Sequence, residues 1–487
     1  MLKLFKPIFV GLLAFFCISA PAFAWPFVYP TGVTVYSPKK SFNCYTLFSP
    51  MELELKGQSA PTPKSEYFVY LINMSGEVVH RWTLPDPPLA SKLLPNGHLV
   101  VSLMSREKQP GRPGVGTFWL GGYTGVILEL DWDGKTVFQY KDLSMHHEFV
   151  RRPNGNIIYM GWEQVPKKLQ AKVLGGLQGT EQGGGVMWND YLVEINPQGK
   201  RVWTWHANQH LDPKIDIIGL LYNRNEWCHA NAIDILDNGN ILLTSRSLDS
   251  LLVIDPKSGR IVQRWGSASF LDPKTGVIEH RKGPKVLEGP HDARQIPDGL
   301  PGAGRITVYD NRANTGDFLF SQVVEVDLAS GKVVKQAPPP LGRKHLSDFL
   351  GGAQKLPNGN NLVCDGSNGR LFQETPEGQV SWEYISPFVP MPQLQGVIFK
   401  ANAYAPDYCP QFKNLPPAEG APVVMSDKSK PNEDESKPNE SGNEAPPEPQ
   451  APAQLNYFSP STLIALVVAL LASLLLNIFL WRQEKRR

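Results

Sequence analysis

The sequence predicts an all-β protein, a six-bladed β-propeller with four-stranded blades, followed by a C-terminal transmembrane helix. Three observations predict it. A strand–turn–strand unit recurs six times, a second hairpin unit alternates with it, and one uncharged apolar run near the C-terminus is long enough to cross a bilayer. The 487 residues, 41% of them hydrophobic, can bury a large core, and 43 Gly, 44 Pro and 12 Trp favour short strands and tight turns over long helices.

The first unit is an apolar strand, a turn of the type D/N-x-x-G and a strand that usually ends in an aromatic. It appears as YLINMSGEVVHRW (70–82), LELDWDGKTVFQY (128–140), LVEINPQGKRVWTW (192–205), LVIDPKSGRIVQRW (252–265), VEVDLASGKVVKQ (324–336) and FQETPEGQVSWEY (372–384). The second is a hairpin around Asn-Gly or Asp-Gly, the strongest short-range hairpin signal. It appears as KLLPNGHLVVSL (92–103), VRRPNGNIIYMG (150–161), DILDNGNILLTS (234–245), RQIPDG…RITVYD (294–310) and QKLPNGNNLVCDG (354–366). Two hairpins per repeat give four strands, the content of one blade. A pair of β-sandwiches would have no reason to repeat six times. The first blade lacks a second unit, and Tyr45–Phe48 with Gly396–Tyr404 are the segments that can complete it and close the ring.

The ends read as targeting and tethering segments around a propeller domain at 25–415. Residues 1–24 have the form of a signal peptide, with Lys3 and Lys6 before the apolar Ile8–Ile18 and the small-x-small site Ala22-Phe23-Ala24. Residues 416–458 are rich in Pro, Glu, Ser, Asn and Lys and repeat Ser-Lys-Pro-Asn-Glu, which marks a spacer too polar to offset its ordering entropy. Residues 459–481 form the expected membrane helix; its core, Leu463–Trp481, holds no charge. The tail at 482–487 carries Arg482, Lys485, Arg486 and Arg487, which by the positive-inside rule is cytoplasmic. The expected placement is therefore an exported body held at the inner (cytoplasmic) membrane, on its periplasmic or extracellular side. Without the charges of its two ends the chain is slightly acidic, which excludes electrostatic capture of nucleic acid.

Cys17 leaves with the signal. Cys44 and Cys409 bracket the body and are the candidate disulfide in an oxidising compartment, whereas Cys228 and Cys364 sit in strand-like patterns as buried free thiols. No zinc-type Cys spacing, P-loop, G-x-S-x-G, H-E-x-x-H or EF-hand pattern is present. The Gly-rich stretch GGLQGTEQGGG reads as part of a mobile insertion at 165–188, a candidate lid, and 104–122 is a second insertion.

The first strand of a blade lines the central channel, so a residue at its start can face the axis. Histidines recur there: His147 in HHEF, His229 in CHAN, His291 in GPHD and, less regularly, His345 in KHLS. Each has a structural alternative, a hydrogen bond to a neighbouring blade. His146 should point to the opposite face of its strand and support its neighbour. Asn231, two residues after His229, should share its side, and Arg246 ends the hairpin that follows; a guanidinium in a polar channel suits an oxyanion, or else an inter-blade salt bridge. Asp310 and Asn311 close the next hairpin and read as structural support. Three histidines could hold a metal, but no carboxylate accompanies them at a repeated position, so neither metal nor other cofactor is expected.

These motifs resemble the bacterial arylsulfotransferase family, the PAPS-independent aryl-sulfate sulfotransferases. The resemblance runs from Gly32-Val33-Thr34 through YTLF, LINMSGEVVHRW, HHEFVRRPNGNIIYMGWE, HANAIDILDNGNILLTSRSLD, GPHDARQIPDG and YDN to ANAYAPDY (401–408). It implies a six-bladed propeller that moves a sulfuryl group from an aryl sulfate to a phenolic acceptor, ping-pong, through a sulfohistidine, with small phenolic donors and acceptors as partners and no cofactor. By resemblance His291 takes the nucleophile's place, His229, Asn231 and Arg246 the sulfuryl-binding places, and His147 that of the remaining histidine, with HHE leaving His146 open. The spacer and anchor depart from the family's usual pattern. Two alternatives stand beside this reading: a non-catalytic, membrane-tethered propeller that binds or scaffolds, and a quinoprotein-like dehydrogenase, against which the count of six argues. Nothing in the sequence fixes an oligomeric state.

Overall fold

The computed structural model describes residues 30–51, 66–105, 107, 120–181, 184–280, 286–314, 319–337, 346–388 and 397–422. The expected signal peptide, membrane helix and basic tail, most of the spacer and His345 lie outside the described residues. The chain divides into two units, 1–426 and 427–487; the second holds no described residue. Among the described residues no helix is long and apolar enough to cross a membrane.

Six four-stranded antiparallel sheets form the propeller. From the inner to the outer strand, blade 1 is Ile398–Tyr404, Tyr45–Pro50, Tyr67–Ile72 and Val78–Leu84; blade 2 is Pro88–Leu93, Leu99–Leu103, Val126–Leu130 and Thr136–Lys141; blade 3 is Met145–Arg151, Ile157–Gln164, Trp188–Ile195 and Arg201–His206. Blade 4 is Ala230–Ile235, Ile241–Ser245, Ser250–Ile254 and Ile261–Trp265; blade 5 is His291–Gln295, Ile306–Asn314, Leu319–Asp327 and Lys332–Ala337; blade 6 is Gly352–Lys355, Asn361–Asp365, Arg370–Glu374 and Val380–Ile385. Blade 1 thus takes its inner strand from the end of the body and the rest from the start, as expected. The ring is closed a second time by Gly32–Tyr36, which the sequence reading left unassigned and which pairs along Val380–Ile385 as a fifth strand of blade 6.

The repeated pattern has a packing cause. Each of the six apolar clusters fills a seam between blades; Trp205, Ile233 and Leu252 share one, and Trp382, Tyr36 and Ile72 another. A buried side chain of this size contributes about 1.5–3 kcal/mol, so no blade is stable without its neighbours. The aromatic that ends the outer strand reaches the next blade's turn: the indole N–H of Trp82 donates to Asp131 O (3.1 Å), Trp205 to Gly259 O (2.8 Å), Trp265 to Gly331 O (3.2 Å) and Trp382 to Met74 O (2.9 Å). In four of the six repeats the terminal aromatic and the next blade's glycine turn are thus the two halves of one inter-blade clasp.

Both kinds of tight turn fall on one face of the ring, and the chain enters every inner strand from the other. The second face therefore carries the histidines and the insertions. The described part of the 165–188 insertion lies on that face and makes its own contacts. Gly175–Leu177 pairs parallel with Ile218–Asn223, and buried Arg224 donates to Gly175 O (2.6 Å), Val173 O (3.2 Å) and Glu181 Oε1 (2.7 Å). At Gly175 a Cβ would lie 2.0 Å from Ile218 O, so only glycine fits.

The Cys44–Cys409 disulfide is not formed; both thiols are free and buried, as are Cys228 and Cys364. Cys44 Sγ lies 3.9 Å from Met74 Sδ and 3.6 Å from Gln373 Nε2 in the seam between blades 6 and 1, whereas Cys409 packs with Leu93 and Phe412 between blades 1 and 2. Burial pushes the Cys44 thiol up to about 12. Strand exchange, not a disulfide, ties the ends of the body together. Its contacts also run past 415: Tyr45 Oη donates to Pro416 O (2.6 Å) and Met74 N to Ala418 O (2.9 Å).

Candidate active site

Blades 3, 4 and 5 deliver the histidines, and a local irregularity aims each one. Alternation along a strand would turn consecutive side chains to opposite faces. Here the register shifts near the start of each inner strand, between Tyr159 and Met160 on the partner of blade 3, between Ala230 and Ala232, and between His291 and Arg294. Such bulges re-aim side chains at the mouths of sheets. His147 (φ 51°), His229 (φ 48°) and Asp292 (φ 52°) adopt left-handed backbone, which costs a non-glycine residue about 1–2 kcal/mol and concentrates at functional sites.

The groups meet on the channel. The rings of His147 and His229 lie 5.1 Å apart, edge to face. His147 is held well below the usual imidazole range, first by burial and then by His146, His229, His291 and Arg246 around it. Burial, then Arg246, bring His291 down to about 3. Both rings are therefore neutral at ordinary pH. Arg246 is half-buried, its guanidinium stacks 4.9 Å over the Tyr222 ring, and among the described residues no carboxylate engages it; the inter-blade salt bridge considered for it is absent.

His291 has its tautomer fixed by its partners. Nδ1 lies 2.8 Å from Asn311 Oδ1 and 3.0 Å from Gly289 O, both acceptors, so Nδ1 carries the proton. The Asn311 amide is itself oriented, because its Nδ2 donates to Ser347 O and Leu350 O at 2.7 Å each. Nε2 keeps the lone pair and accepts a long 3.3 Å bond from Leu350 N–H. Leu350 is another left-handed residue, at φ 65°. Asp310 supports the same loop, accepting from Glu288 N (2.9 Å) and Gln322 Nε2 (3.1 Å).

Four residues outside the repeated pattern complete the site. Buried Glu226 lies 2.6 Å from His229 Nδ1 through Oε2 and accepts the indole N–H of Trp162 (2.9 Å) through Oε1. Buried Asp190 approaches His146 Nε2 at 3.0 Å, and His146 Nδ1 meets His147 Nδ1 at 2.9 Å. Asp249 accepts from Tyr222 Oη and Gly289 N–H, each at 2.8 Å, which ties the platform under Arg246 to the loop that holds His291; burial raises its carboxyl to about 7. Carboxylates accompany the histidines, though at no repeated position: Glu226 and Asp249 come from loops and Asp190 from the third strand of blade 3. Among the described residues no three His, Cys, Asp or Glu side chains are grouped to hold a metal ion.

Two further residues flank the cluster. Asn231 does not simply share a strand face with His229, because the bulge intervenes; its Nδ2 donates to Pro290 O (2.8 Å) and its Oδ1 is buried without a hydrogen-bond partner. His146 stacks on Trp162 at 4.4 Å, away from the channel, yet touches His147 through one nitrogen.

The fold and this cluster define a class, a propeller that gathers neutral imidazoles and one uncommitted guanidinium at the mouth of its channel. The arylsulfotransferase (ASST) family model matches residues 59–386, and the chain belongs to the arylsulfotransferase family. Membership makes aryl sulfate transfer its general activity and aryl sulfates and phenols its substrate class. No curated protein sequence matches the chain. Similar solved structures include a protein of unknown function from Bacteroides caccae (13% identity, TM-score 0.44, covering 74% of this chain and 98% of that one). A streptogramin B lyase (11%, 0.36, 76% and 97%) and the hydrazine synthase of Kuenenia stuttgartiensis (14%, 0.36, 66% and 80%) are others. Likenesses of this size carry no functional information.

Proposed function

We propose that the protein moves a sulfuryl group from an aryl sulfate to a phenol through a sulfohistidine on His291, in a ping-pong sequence, without metal or nucleotide cofactor. One observation carries the reading: His291 Nε2 is a neutral lone pair whose tautomer is locked by Asn311 and Gly289, near the Arg246 guanidinium, which no carboxylate engages among the described residues. In the first half, Nε2 attacks sulfur, the S–O(aryl) bond breaks, and the phenolic oxygen leaves with the electron pair and gains a proton. In the second, the acceptor phenol loses its proton, its oxygen attacks sulfur, and the N–S bond returns its pair to Nε2. Arg246 neutralises the sulfuryl oxygens, and Leu350 N–H, already directed at Nε2, donates to one of them. Asn231 holds the Pro290–His291 peptide in place, and its Oδ1, without a partner among the described residues, can accept a hydrogen bond from a phenolic hydroxyl. Residues 1–24 and 459–481 add the proposal that the body works outside the cytoplasm, tethered to a membrane.

The test mixes purified protein with p-nitrophenyl sulfate in the absence of acceptor. A burst of p-nitrophenolate equal to the enzyme concentration is expected, together with a protein mass increased by one SO3 and localised to His291. Folded protein that gives neither burst nor phenol-dependent turnover overturns the reading in favour of a non-catalytic module.

A further inference from the structure

The family resemblance gives His229 a place among the sulfuryl-binding groups, yet its surroundings are those of a proton-transfer group. The contact from Nδ1 to Glu226 Oε2, 2.6 Å, is short for an N–H···O bond, and the carboxylate is 3% exposed. The His229 side chain itself is 14% exposed, open on one side only. Glu226 cannot turn away. Its other oxygen holds the Trp162 indole, and its main chain is clamped to blade 3, with Trp188 N donating to Asn225 O and Trp227 N to Trp188 O, each at 2.8 Å.

We propose that Glu226 is a positioning residue that keeps the His229 proton on Nδ1 and stabilises its imidazolium, so that Nε2 gives a proton to the leaving phenolic oxygen and takes it back from the acceptor. The proposal rests on the sulfuryl-transfer reading. The step balances: imidazolium His229 loses its Nε2 proton as the S–O bond breaks and the N–S bond to His291 forms, leaving a phenol and neutral His229. In the return half, Nε2 takes the acceptor's proton as the new O–S bond forms and the N–S bond breaks. His147 is the weaker candidate. Its Nδ1 faces His146, and its ring lies flat on Gly122, where a Cβ would come within 2.4 Å of Nε2. Burial and its cationic neighbours also keep it unprotonated. For Glu226 burial acts upward, but His229 and the Trp162 bond outweigh it and hold the carboxyl below its usual value.

The experiment compares two donors in single-turnover bursts, p-nitrophenyl sulfate with a good leaving group and phenyl sulfate with a poor one. In Glu226→Gln the Trp162 N–H holds the amide oxygen, so the amide N–H2 faces Nδ1 and forces the His229 proton to Nε2. The imidazolium also loses its counter-charge. The phenyl sulfate burst is expected to slow by about 10²–10⁴-fold, and the p-nitrophenyl sulfate burst by less than about 10-fold. Glu226→Asp keeps the charge and should restore much of the phenyl sulfate rate, and it stands in should the Gln variant fold poorly. Equal losses with both donors, or no loss with either, overturn the assignment. Absence of any burst from the wild-type protein overturns the transferase reading instead.

Discussion

The central channel has two halves built from the same inner strands, and they handle charge in opposite ways. At the mouth, three imidazoles from blades 3 to 5 lie near a guanidinium that no carboxylate engages among the described residues. Just below, every cation is paired. Lys400 Nζ lies 2.6 Å from both Glu148 Oε1 and Asp292 Oδ1, Lys92 Nζ lies 2.9 Å from Glu148 Oε1, and Arg294 grips both oxygens of Asp292 at 2.7 Å. Asn402 Oδ1 closes the network on Arg294 at 2.7 Å, above a cavity of about 590 Å³ on the turn face. The halves meet within single dipeptides, His147-Glu148 and His291-Asp292. A regular strand would turn one member of each pair outward. The left-handed residue in each pair, His147 and Asp292, lets both stay buried at the channel. The comparison teaches that the lower half is a self-satisfied plug, whereas the upper half is complete only when an anion arrives.

That contrast is sharpest at its extremes. His291→Ala should lower turnover by about 10⁴-fold or more, as loss of a nucleophile does, at a cost of about 1–3 kcal/mol in urea unfolding for the buried Asn311 and Leu350 groups it leaves unpaired. With its ring brought down to about 3 by burial and Arg246, protonation of His291 cannot limit activity in weak acid; the pH profile of kcat/KM checks this, and any acid limb near neutrality belongs to another group. Lys400→Met reverses the pattern. It strands Glu148 and Asp292 as buried, under-compensated anions and should cost about 3–5 kcal/mol in urea unfolding. Arg246→Ala should lower kcat/KM by about 10²–10³ with stability unchanged, since it breaks no ion pair seen among the described residues. A large stability loss there, or none for Lys400→Met, would erase the distinction between the halves.

How far the sequence reveals this depends on whether a feature repeats. The six turn glycines and the terminal tryptophans are legible because at four seams the two make the same clasp, and a ring reuses one clasp from blade to blade. His147, His229 and His291 are legible because entry to an inner strand is a fixed place in the repeat. Glu226, Asp190, Tyr222 and Asp249 belong to no repeat position; Glu226 and Tyr222 come from the segment between blades 3 and 4, Asp190 from the third strand of blade 3 and Asp249 from a turn of blade 4, and only the folded ring brings them to the histidines. The motif E-W-C-H, with Glu226 three residues before His229, is the one signal that could have drawn attention to a carboxylate. Asn231 was placed by strand alternation, which fails across a bulge. The cysteine pairing was inferred from sequence position at the ends of the body, but the closing strands carry the two thiols into different seams.

The finest test moves one imidazole and leaves every charge in place. Gly122 has φ +81°, and its main-chain oxygen accepts the His147 N–H at 2.6 Å while the His147 ring covers its α-carbon. A methyl group there would sit 2.4–2.6 Å from Nε2, Cε1 and Cδ2 of that ring, and the left-handed backbone adds a penalty of about 1–2 kcal/mol. His146 and Trp162 block retreat on the other side, so the ring must swing toward the channel and His229. Gly122→Ala should therefore unfold about 1–3 kcal/mol more easily and turn over phenyl sulfate more slowly. The plug should remain intact, because none of its ion pairs touches Gly122. Adding Lys400→Met to the same chain should then give additive losses in urea, as sites without shared partners do. Strong coupling between the two changes would mean that the mouth and the plug act as one structure, and that the uncommitted guanidinium depends on the network beneath it.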